Sequence, residues 1–393
     1  MKKPSILQFP TLTCVPQELA KVQVIDGGKL VPKKRKITLR MLLSHTGMSH
    51  ILKSRAFIVL CSYPFLTAGF GYAFFDARLN DFYAQVGLDE FSGLPYEYLS
   101  QPLVNQPGEQ WEYGINIDWA GVLVERVSGL RLNDYFQKHV FEPMGLKNIN
   151  MFPTESMKKD LAYMHARTPG ESRLINDYVP LQQLGCNFPS YPLSPLGLHF
   201  LTNPSRFTDG KLMINANGHL NRRPLLPLSK EEREGTFHSG GAGCFARPAE
   251  YCQIIAMLLN DGTHAPTGAK ILKPETIKEM FTNQIPEMPN FGRQAIVPPK
   301  PELSNTLPEL YPQPHDQAQG WGLTFFLHVH PGPTGRSGST GWWAGLPNLF
   351  WWADRENGLG GIIASQIIPF GDMKVMGLWS QIEAGLYTGI KGQ

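Results

Sequence analysis

The chain has little cysteine and no strong excess of charge. Its 393 residues include five cysteines, an odd number, with no Cys-x-x-Cys pair and no zinc-like pattern with histidines. We therefore expect reduced thiols in a cytoplasmic protein, without a disulfide framework, a metal site or a cofactor. The formal net charge of +3 does not indicate binding to a nucleic acid or to an anionic membrane. His328 and His330 have no further ligand nearby, and we interpret them as surface residues on one face of a strand.

Long apolar runs are also scarce. Pro4, Pro10 and Pro16 interrupt the apolar core that a signal peptide needs, so secretion is not indicated. The exception is Ala56–Phe75, which carries no charged residue and is long enough for a membrane span. Pro64 and two glycines make it a poor continuous helix in lipid. We therefore favour a defective or wrongly assembled gene model over a membrane span for this segment.

Helix signals occur between residues 37 and 260. Asp118 is expected to cap a helix that ends at Gly129. Its apolar positions recur at three- and four-residue steps: Ile117, Ala120, Val124 and Val127. Asn133 is expected to cap a second helix, and Pro248 to stand in the first turn of a third.

The C-terminal part has the pattern of a sheet. Leu346–Ala353 and Leu359–Ile367 are rich in aromatic and β-branched residues, and the turn Asp354–Gly358 between them predicts an antiparallel hairpin. Trp321–Val329 is expected to form a third strand. A terminal helix is predicted to cover this sheet with one apolar face, formed by Val375, Leu378, Trp379, Ile382 and Leu386.

One tyrosine stands at a junction between a loop and a helix. Tyr113 follows the turn Gln106-Pro107-Gly108 and comes directly before the helix that ends at Gly129. A phenol is a candidate general base where a helix N-terminus and a nearby ammonium stabilise its anion, although its free pKa is about 10. The alternative is a half-buried aromatic side chain that anchors a loop.

Four segments carry a family pattern: Ile37–Gly47, Gln106–Gly129, His238–Gly243 and Gly341–Gln366. In this order and spacing they resemble the serine β-lactamase-like family, which includes class C β-lactamases, family VIII esterases and fungal transesterases that acylate polyketides. The most specific runs are ITLRMLLSHTG, QPGEQWEYGINIDWAGVLVERVSG and GWWAGLPNLFWWADRENGLGG. The resemblance implies an α/β (α+β) fold, in which an antiparallel sheet with covering helices packs against a helical lobe. The active site of that fold lies between the two lobes.

The resemblance covers most of residues 19–393, so we expect residues 1–393 to form one unit of two interleaved lobes. Residues from about 37 to 260 are assigned to the mainly helical lobe, and residues from about 318 to 393 to the sheet and the C-terminal helix. In the family, a Gly-Tyr-x-Phe segment, here Gly71–Phe74, follows the His-Thr-x-Gly segment almost directly. Residues near 49–69 and 171–207 therefore look inserted.

The nucleophile of the family is missing from its expected place. The family carries Ser-x-x-Lys upstream of ITLRMLLSHTG, whereas the sole Ser-x-x-Lys here is Ser156–Lys159, in a polar stretch that we interpret as a solvated helix start. The chain thus looks N-terminally truncated, without the nucleophile helix and the strands before it. A gene model with retained introns and a decaying paralogue are both open explanations. We expect this loss to leave the partners of Leu42, Val124 and Leu258, and one edge of the sheet through Leu349 and Ile363, facing water or non-native segments.

The resemblance also implies roles for the other site residues. Tyr113 would be the general base, and Trp343-Ala344-Gly345 would be the triad at the start of the strand that lines the site. Gly345 would let a substrate lie against the strand, and the Leu346 N–H would be one of two oxyanion donors. Trp343 replaces the lysine of β-lactamases and so favours an apolar acyl acceptor. The alternative is a tryptophan that only packs in a Trp-rich sheet.

These observations favour an acyltransferase or ester hydrolase that works through a serine ester. Its partner would be a small-molecule ester, thioester or alcohol of fungal secondary metabolism, and not a nucleic acid. The alternative is a catalytically inactive, truncated pseudoenzyme. An α/β-hydrolase is disfavoured because the chain has no Gly-x-Ser-x-Gly elbow.

Overall fold

The computed structural model describes residues 17–45, 68–167, 220–223, 233, 235–293, 295, 297–307 and 313–391. The segments near 49–69 and 171–207 that look inserted lie outside these ranges, apart from residues 68 and 69. Within the described ranges the helices are α1 (Gln17–Lys21), α2 (Leu39–Leu43), α3 (Ala77–Val86), α4 (Pro95–Leu99), α5 (Asn116–Ser128), α6 (Leu132–Phe136), α7 (Glu155–Lys159), α8 (Pro248–Leu259), α9 (Pro274–Met280) and α10 (Met373–Lys391), with a π-helical turn Gln137–Phe141 after α6.

The described strands form one larger sheet and several short pairings. They are β1 (Gln23–Asp26), β2 (Lys29–Pro32), β3 (Ile149–Asn150), β4 (Met164–Arg167), β5 (Leu220–Arg223), β6 (Phe245–Ala246), β7 (Thr263–His264), β8 (Ala269–Lys270), β9 (Gln319–Trp321), β10 (Phe326–His328), β11 (Thr340–Gly345), β12 (Leu349–Asp354), β13 (Leu359–Ala364) and β14 (Ile367–Ile368). The larger sheet has the order β13-β12-β11-β10-β9, and every neighbouring pair is antiparallel.

The predicted C-terminal hairpin is confirmed, since β12 pairs with β13 through the turn after Asp354. The strand predicted at Trp321–Val329 is confirmed in part, because β10 lies within this segment and pairs with β11, whereas Trp321 is the last residue of β9, which forms a hairpin with β10. The Gly322 N–H donates to the Phe325 carbonyl at 2.8 Å, and Thr324 has a φ of 80°. These features bend the chain back, although the residue types around the turn all favour strand.

Helices cover both faces of the sheet. On one face α8 and α9 contribute Leu258 and Ile277 to a buried cluster with Phe325. The sequence interpretation had placed α8 in the helical lobe, but it packs on the sheet. On the other face Trp379 of α10 stacks on Phe350 with ring centroids 4.4 Å apart.

The terminal helix buries only part of its predicted apolar face. Val375 and Trp379 are buried, whereas Leu378, Ile382 and Leu386 are 52%, 39% and 43% exposed. The buried side of α10 instead includes the polar residues Glu383 and Tyr387. The prediction was therefore wrong for three of its five positions.

Trp119 of α5 forms the centre of the helical lobe, in one buried cluster with Met41, Leu42 and Phe70. Leu42 is 1% exposed. Leu42 therefore has packing partners among the described residues, and so does Leu258, which is 8% exposed in the cluster with Ile277.

The helix boundaries confirm two of the four predicted signals. Gly129 ends α5 with a φ of 70°, and Pro248 stands in the first turn of α8. Asp118 does not cap α5, which starts at Asn116. Asn133 is likewise inside α6, and its side chain accepts a hydrogen bond from the Met151 N–H at 3.0 Å. Both polar side chains bond to other segments of the chain instead of their own helix.

The buried side of α5 also differs from the predicted one. Trp119, Val122 and Leu123 are buried, whereas Val127 is 52% exposed. Among the described residues no helix combines the length and apolar character of a membrane span. The described part of Ala56–Phe75, residues 68–75, is irregular chain and a turn.

Candidate active site

Tyr113 and Trp343 meet where the helical lobe contacts the sheet. The Trp343 Nε1–H donates to the Tyr113 Oη at 3.1 Å, although 230 positions separate the two residues. Their rings lie edge to face with centroids 4.9 Å apart. The structure thus brings together the two side chains that the sequence singled out.

Close backbone packing fixes Tyr113 at this position. A Cβ added to Gly114 would lie 2.3 Å from the Phe70 carbonyl oxygen and 2.6 Å from the carbonyl carbon of Gly71. The segment before α5 therefore lies directly against residues 70 and 71. Tyr72 follows residue 71 in the chain, and its ring centroid is 5.1 Å from that of Tyr113.

Aromatic rings surround the Tyr113 phenol. Trp321 lies 4.5 Å from Trp343, and Trp111 lies 5.3 Å from Trp321, both measured between ring centroids. Trp111 and Phe291 also border an open groove of about 320 Å³, whose rim includes Glu109 and Glu287. The groove therefore leads from solvent to the edge of the aromatic cluster.

The environment of Tyr113 opposes ionisation. Burial raises its pKa to about 12, and the nearby Asp118 carboxyl adds to this shift, while hydrogen bonds with Trp343 and Tyr72 lower it. No lysine is among the groups that shift this pKa. The ammonium that the sequence interpretation invoked is therefore not found here among the described residues.

A titration of the tyrosines tests this shift. The unfolded phenol ionises at about pH 10, whereas Tyr113 in the folded chain ionises at about 12. Folding stability from this group is therefore lost as the pH rises from about 10 to about 12. Compared with the parent, Tyr113→Phe should lack one phenol in the last step of a tyrosinate absorbance titration. Loss of a phenol from the first step would show that Tyr113 ionises normally.

His45 and Asn116 support the site, and the sequence interpretation had not singled them out. The Asn116 side-chain amide donates to His45 Nδ1 at 2.7 Å and to the Glu112 carbonyl at 3.3 Å. Burial lowers the pKa of His45 to about 3, so its ring is neutral at physiological pH. These bonds tie His45, two residues after the end of α2, to the start of α5. The sequence signal for His45 was the Ser-His-Thr-Gly run, but the partner of His45, Asn116, lies 71 positions later in the chain.

Asp118 faces the loop that precedes α8. Its Oδ1 accepts hydrogen bonds from the Ser239 Oγ at 2.5 Å and from the Gly241 N–H at 3.2 Å. Burial raises the pKa of Asp118 to about 6. The His-Ser-Gly-Gly segment therefore lies next to the helix that follows Tyr113.

The strand triad lies at a different point of its strand than predicted. Trp343, Ala344 and Gly345 are the last three residues of β11, not the first, and Leu346 follows the strand directly. Gly345 pairs with Leu349 on β12. The roles of Gly345 and the Leu346 N–H towards a substrate remain predictions.

Ser156, the serine of the sole Ser-x-x-Lys, has a different environment from Tyr113 and Trp343. Ser156 is exposed on α7, and its hydroxyl lies 2.9 Å from that of Thr154, the N-cap residue. Its interpretation as a solvated helix start is confirmed.

Comparisons with known proteins agree with this architecture. A sequence model of the β-lactamase family matches residues 60–375. The chain belongs to the β-lactamase family. The solved structure of simvastatin synthase from Aspergillus terreus has a TM-score of 0.64 at 23% identity and covers 96% of this chain and 73% of that one. The esterase EstCE1, a hydrolase with promiscuous acyltransferase activity, has a TM-score of 0.56 at 19% identity, covering 94% and 76%. These likenesses show the fold.

Curated relatives of this β-lactamase-family chain include fungal esterases and acyltransferases. A lovastatin esterase of Penicillium rubens is 27% identical over 342 residues, which is 86% of this chain and 66% of the esterase. The monacolin J acid methylbutanoyltransferase of Aspergillus terreus is 24% identical, covering 94% of this chain and 73% of the transferase. The chain therefore spans about two thirds to three quarters of the length of these relatives.

Proposed function

We propose that this chain forms the substrate cleft of an acyltransferase or esterase, and that a small apolar ester, thioester or alcohol binds between Tyr113 and the Trp343 strand. The observation that carries this proposal is the Tyr113–Trp343 hydrogen bond of 3.1 Å between the two lobes. Relatives that transfer or hydrolyse acyl groups on the same fold support it.

The proposed roles follow from the chemistry of each group. The Tyr113 oxygen accepts the proton of an attacking hydroxyl, and the Leu346 N–H stabilises the oxyanion that forms on the acyl carbon. Gly345 leaves room for the substrate beside β11. Trp343 supplies an apolar surface and no positive charge, which favours a neutral acyl acceptor over a carboxylate.

A second candidate is a protein that binds such esters without turning them over. Ser156 is exposed and its hydroxyl bonds to that of Thr154, which favours a structural role for the one Ser-x-x-Lys of the sequence. Nucleophilic catalysis needs the hydroxyl and its base within hydrogen-bond reach. The sequence therefore offers a candidate general base, Tyr113, more clearly than a candidate nucleophile.

Turnover and binding are separable by experiment. We expect hydrolysis of p-nitrophenyl butyrate no faster than background, and no serine labelled by a fluorophosphonate probe. A burst of product that disappears in Tyr113→Phe would instead establish the enzyme, and mass spectrometry of the labelled peptide would identify its nucleophile.

Binding tests the cleft itself. A non-hydrolysable apolar ketone analogue of the ester should quench tryptophan fluorescence in the parent, and Trp343→Phe should weaken that binding. Trp351→Phe is the matched control, since Trp351 pairs with Trp343 in the sheet and packs on Phe325. Equal effects of the two substitutions, or no binding by the parent, would contradict the proposed function.

A further inference from the structure

A buried carboxylate oxygen beside the site has no partner. Asp118 is 1% exposed, and both hydrogen bonds described above go to Oδ1. Its Oδ2 is buried and makes no hydrogen bond to any of the residues that the structure describes. A buried carboxylate oxygen without a donor costs free energy, and such exceptions in folded proteins call for a specific cause. The groups next to Oδ2 must therefore explain why this oxygen is buried without a donor.

The space next to Oδ2 is shared with Tyr72. A Cβ added to Gly241 would lie 3.0 Å from Asp118 Oδ2 and 3.4 Å from Tyr72 Oη. Both oxygens thus border the small space that the missing side chain leaves open. Any residue other than glycine at position 241 would place a methylene group between them. A polar space of this kind suits one bridging water.

Tyr72 in turn contacts Tyr113. The two hydroxyls are hydrogen-bonded, and the negative charge of Asp118 acts on the same phenol. The close packing of Gly114 on residues 70 and 71 holds the two rings together. The Trp343 N–H donates to the Tyr113 oxygen, and a hydroxyl can donate its proton while its oxygen accepts, so the relay uses the arrangement in which Tyr113 donates to Tyr72. Tyr113, Tyr72 and Asp118 therefore form a row of hydroxyl, hydroxyl and carboxylate.

We propose that Asp118 is the end of a proton relay that begins at Tyr113 and passes through Tyr72. The proposal rests on the proposed function, in which Tyr113 takes a proton from an attacking hydroxyl. As that proton reaches the Tyr113 oxygen, the Tyr113 proton moves to Tyr72 and the Tyr72 proton moves through one bridging water to Asp118 Oδ2. The hydroxyl oxygen attacks the acyl carbon with the electron pair of its broken O–H bond. Both tyrosines end neutral, and the charge of Asp118 is cancelled.

The relay explains how a phenol in this environment can act as a base. A neutral Tyr113 needs no phenolate and no ammonium if its own proton leaves as another arrives. Asp118 is suited to receive it, since burial raises its pKa to about 6 while it stays ionised at neutral pH. The groups that act on this pKa are the Ser239 hydroxyl and the Gly241 N–H, which lower it. Asp118 is thus a positioning residue that acts through Tyr113.

Carbon-13 NMR of tyrosine rings tests the relay without any turnover. The Tyr72 and Tyr113 signals, assigned with Tyr72→Phe and Tyr113→Phe, should each shift in one step as Asp118 titrates, and Asp118→Asn should remove both steps. In Tyr72→Phe the Tyr113 step should fall to less than half while the Asp118 carboxyl still titrates. A Tyr113 step of full size in Tyr72→Phe would show that the charge acts only through space and would overturn the relay. So would the absence of any step in the parent.

Control variants separate the relay from a structural role. Ser239→Ala removes one of the two hydrogen bonds from the loop to Asp118 but keeps the carboxylate, so the coupled steps should persist. If Asp118→Asn does not fold, the comparison of Tyr72→Phe with the parent still decides the question. If the chain turns over esters, Asp118→Asn should lower kcat by about 10²-fold with little change in KM. Turnover that survives Asp118→Asn would reject the relay alone, whereas absence of ester binding would reject the proposed function alone.

Discussion

Glu383→Gln is expected to lower the free energy of unfolding by about 3–5 kcal/mol, because it removes the carboxylate paired with the buried Arg336 guanidinium. The Arg336 Nε and Nη2 donate to the same Glu383 oxygen at 2.8 and 2.6 Å, and each side chain is 4% exposed. The Thr334 hydroxyl donates to the other oxygen at 2.7 Å. The guanidinium also lies 4.9 Å from the ring centroid of Trp379 and 5.3 Å from that of Trp342. This pair therefore joins α10 to the sheet.

Urea unfolding followed by circular dichroism measures this effect. The matched control is Glu18→Gln, because Glu18 and Arg126 form an ion pair of 2.8 Å with side chains 54% and 44% exposed. Exposed pairs of this kind contribute at most about 1 kcal/mol. Replacing both Arg336 and Glu383 with methionine should recover most of the loss, since no buried charge remains. Equal effects of Glu383→Gln and Glu18→Gln would contradict the assigned role of the buried pair.

The same network corrects the interpretation of His328 as a surface residue. His328 is 7% exposed, and its Nε2 lies 3.3 Å from the Arg336 Nη1. Burial and the neighbouring guanidinium lower its pKa to about 3. A two-residue repeat in a strand says which side chains share a face but not whether a helix covers that face. The covering helix begins at Met373, 45 positions later in the chain.

The parts of the fold that the sequence predicted are those set by short-range chemistry. The turn after Asp354 separates two runs of strand formers, and both the β12–β13 hairpin and its register follow from it. Gly129 and Pro248 mark helix ends through their own backbone preferences. The contact between Tyr113 and Trp343 came from family motifs, since no local pattern links two residues 230 positions apart.

The missed features depend on partners that are distant in sequence. Asp118 has the residue type and position of a helix cap, but its hydrogen-bond donors come from Ser239 and Gly241, more than 120 positions later. Asn116 has the residue type that could bind a substrate amide, but His45 and Glu112 occupy its donor group. In each case the residue type and its position suggest one role, whereas the hydrogen bonds in the folded chain give the side chain another.

Gly114→Ala is expected to be the most disruptive small substitution in the site, with a cost of about 3 kcal/mol or more. The added Cβ would lie 2.3 Å from the Phe70 carbonyl oxygen and 2.5 Å from its carbon. Both are backbone atoms, so no side-chain rotation relieves the contact. The segment before α5 must then move away from residues 70 and 71, and Tyr113 must move away from Tyr72.

Gly377→Ala in α10 is the control for this prediction. A Cβ there meets no atom within 4 Å, so alanine should stabilise the helix by about 0.5–1 kcal/mol. Urea midpoints of the two variants should therefore move in opposite directions, and only Gly114→Ala should abolish the coupling between the Tyr72 and Tyr113 ring signals. Unchanged coupling in a folded Gly114→Ala chain would mean that something other than this backbone contact holds the two phenols together. The relay from Tyr113 to Asp118 would then need a different structural basis, because its first hydrogen bond depends on that contact.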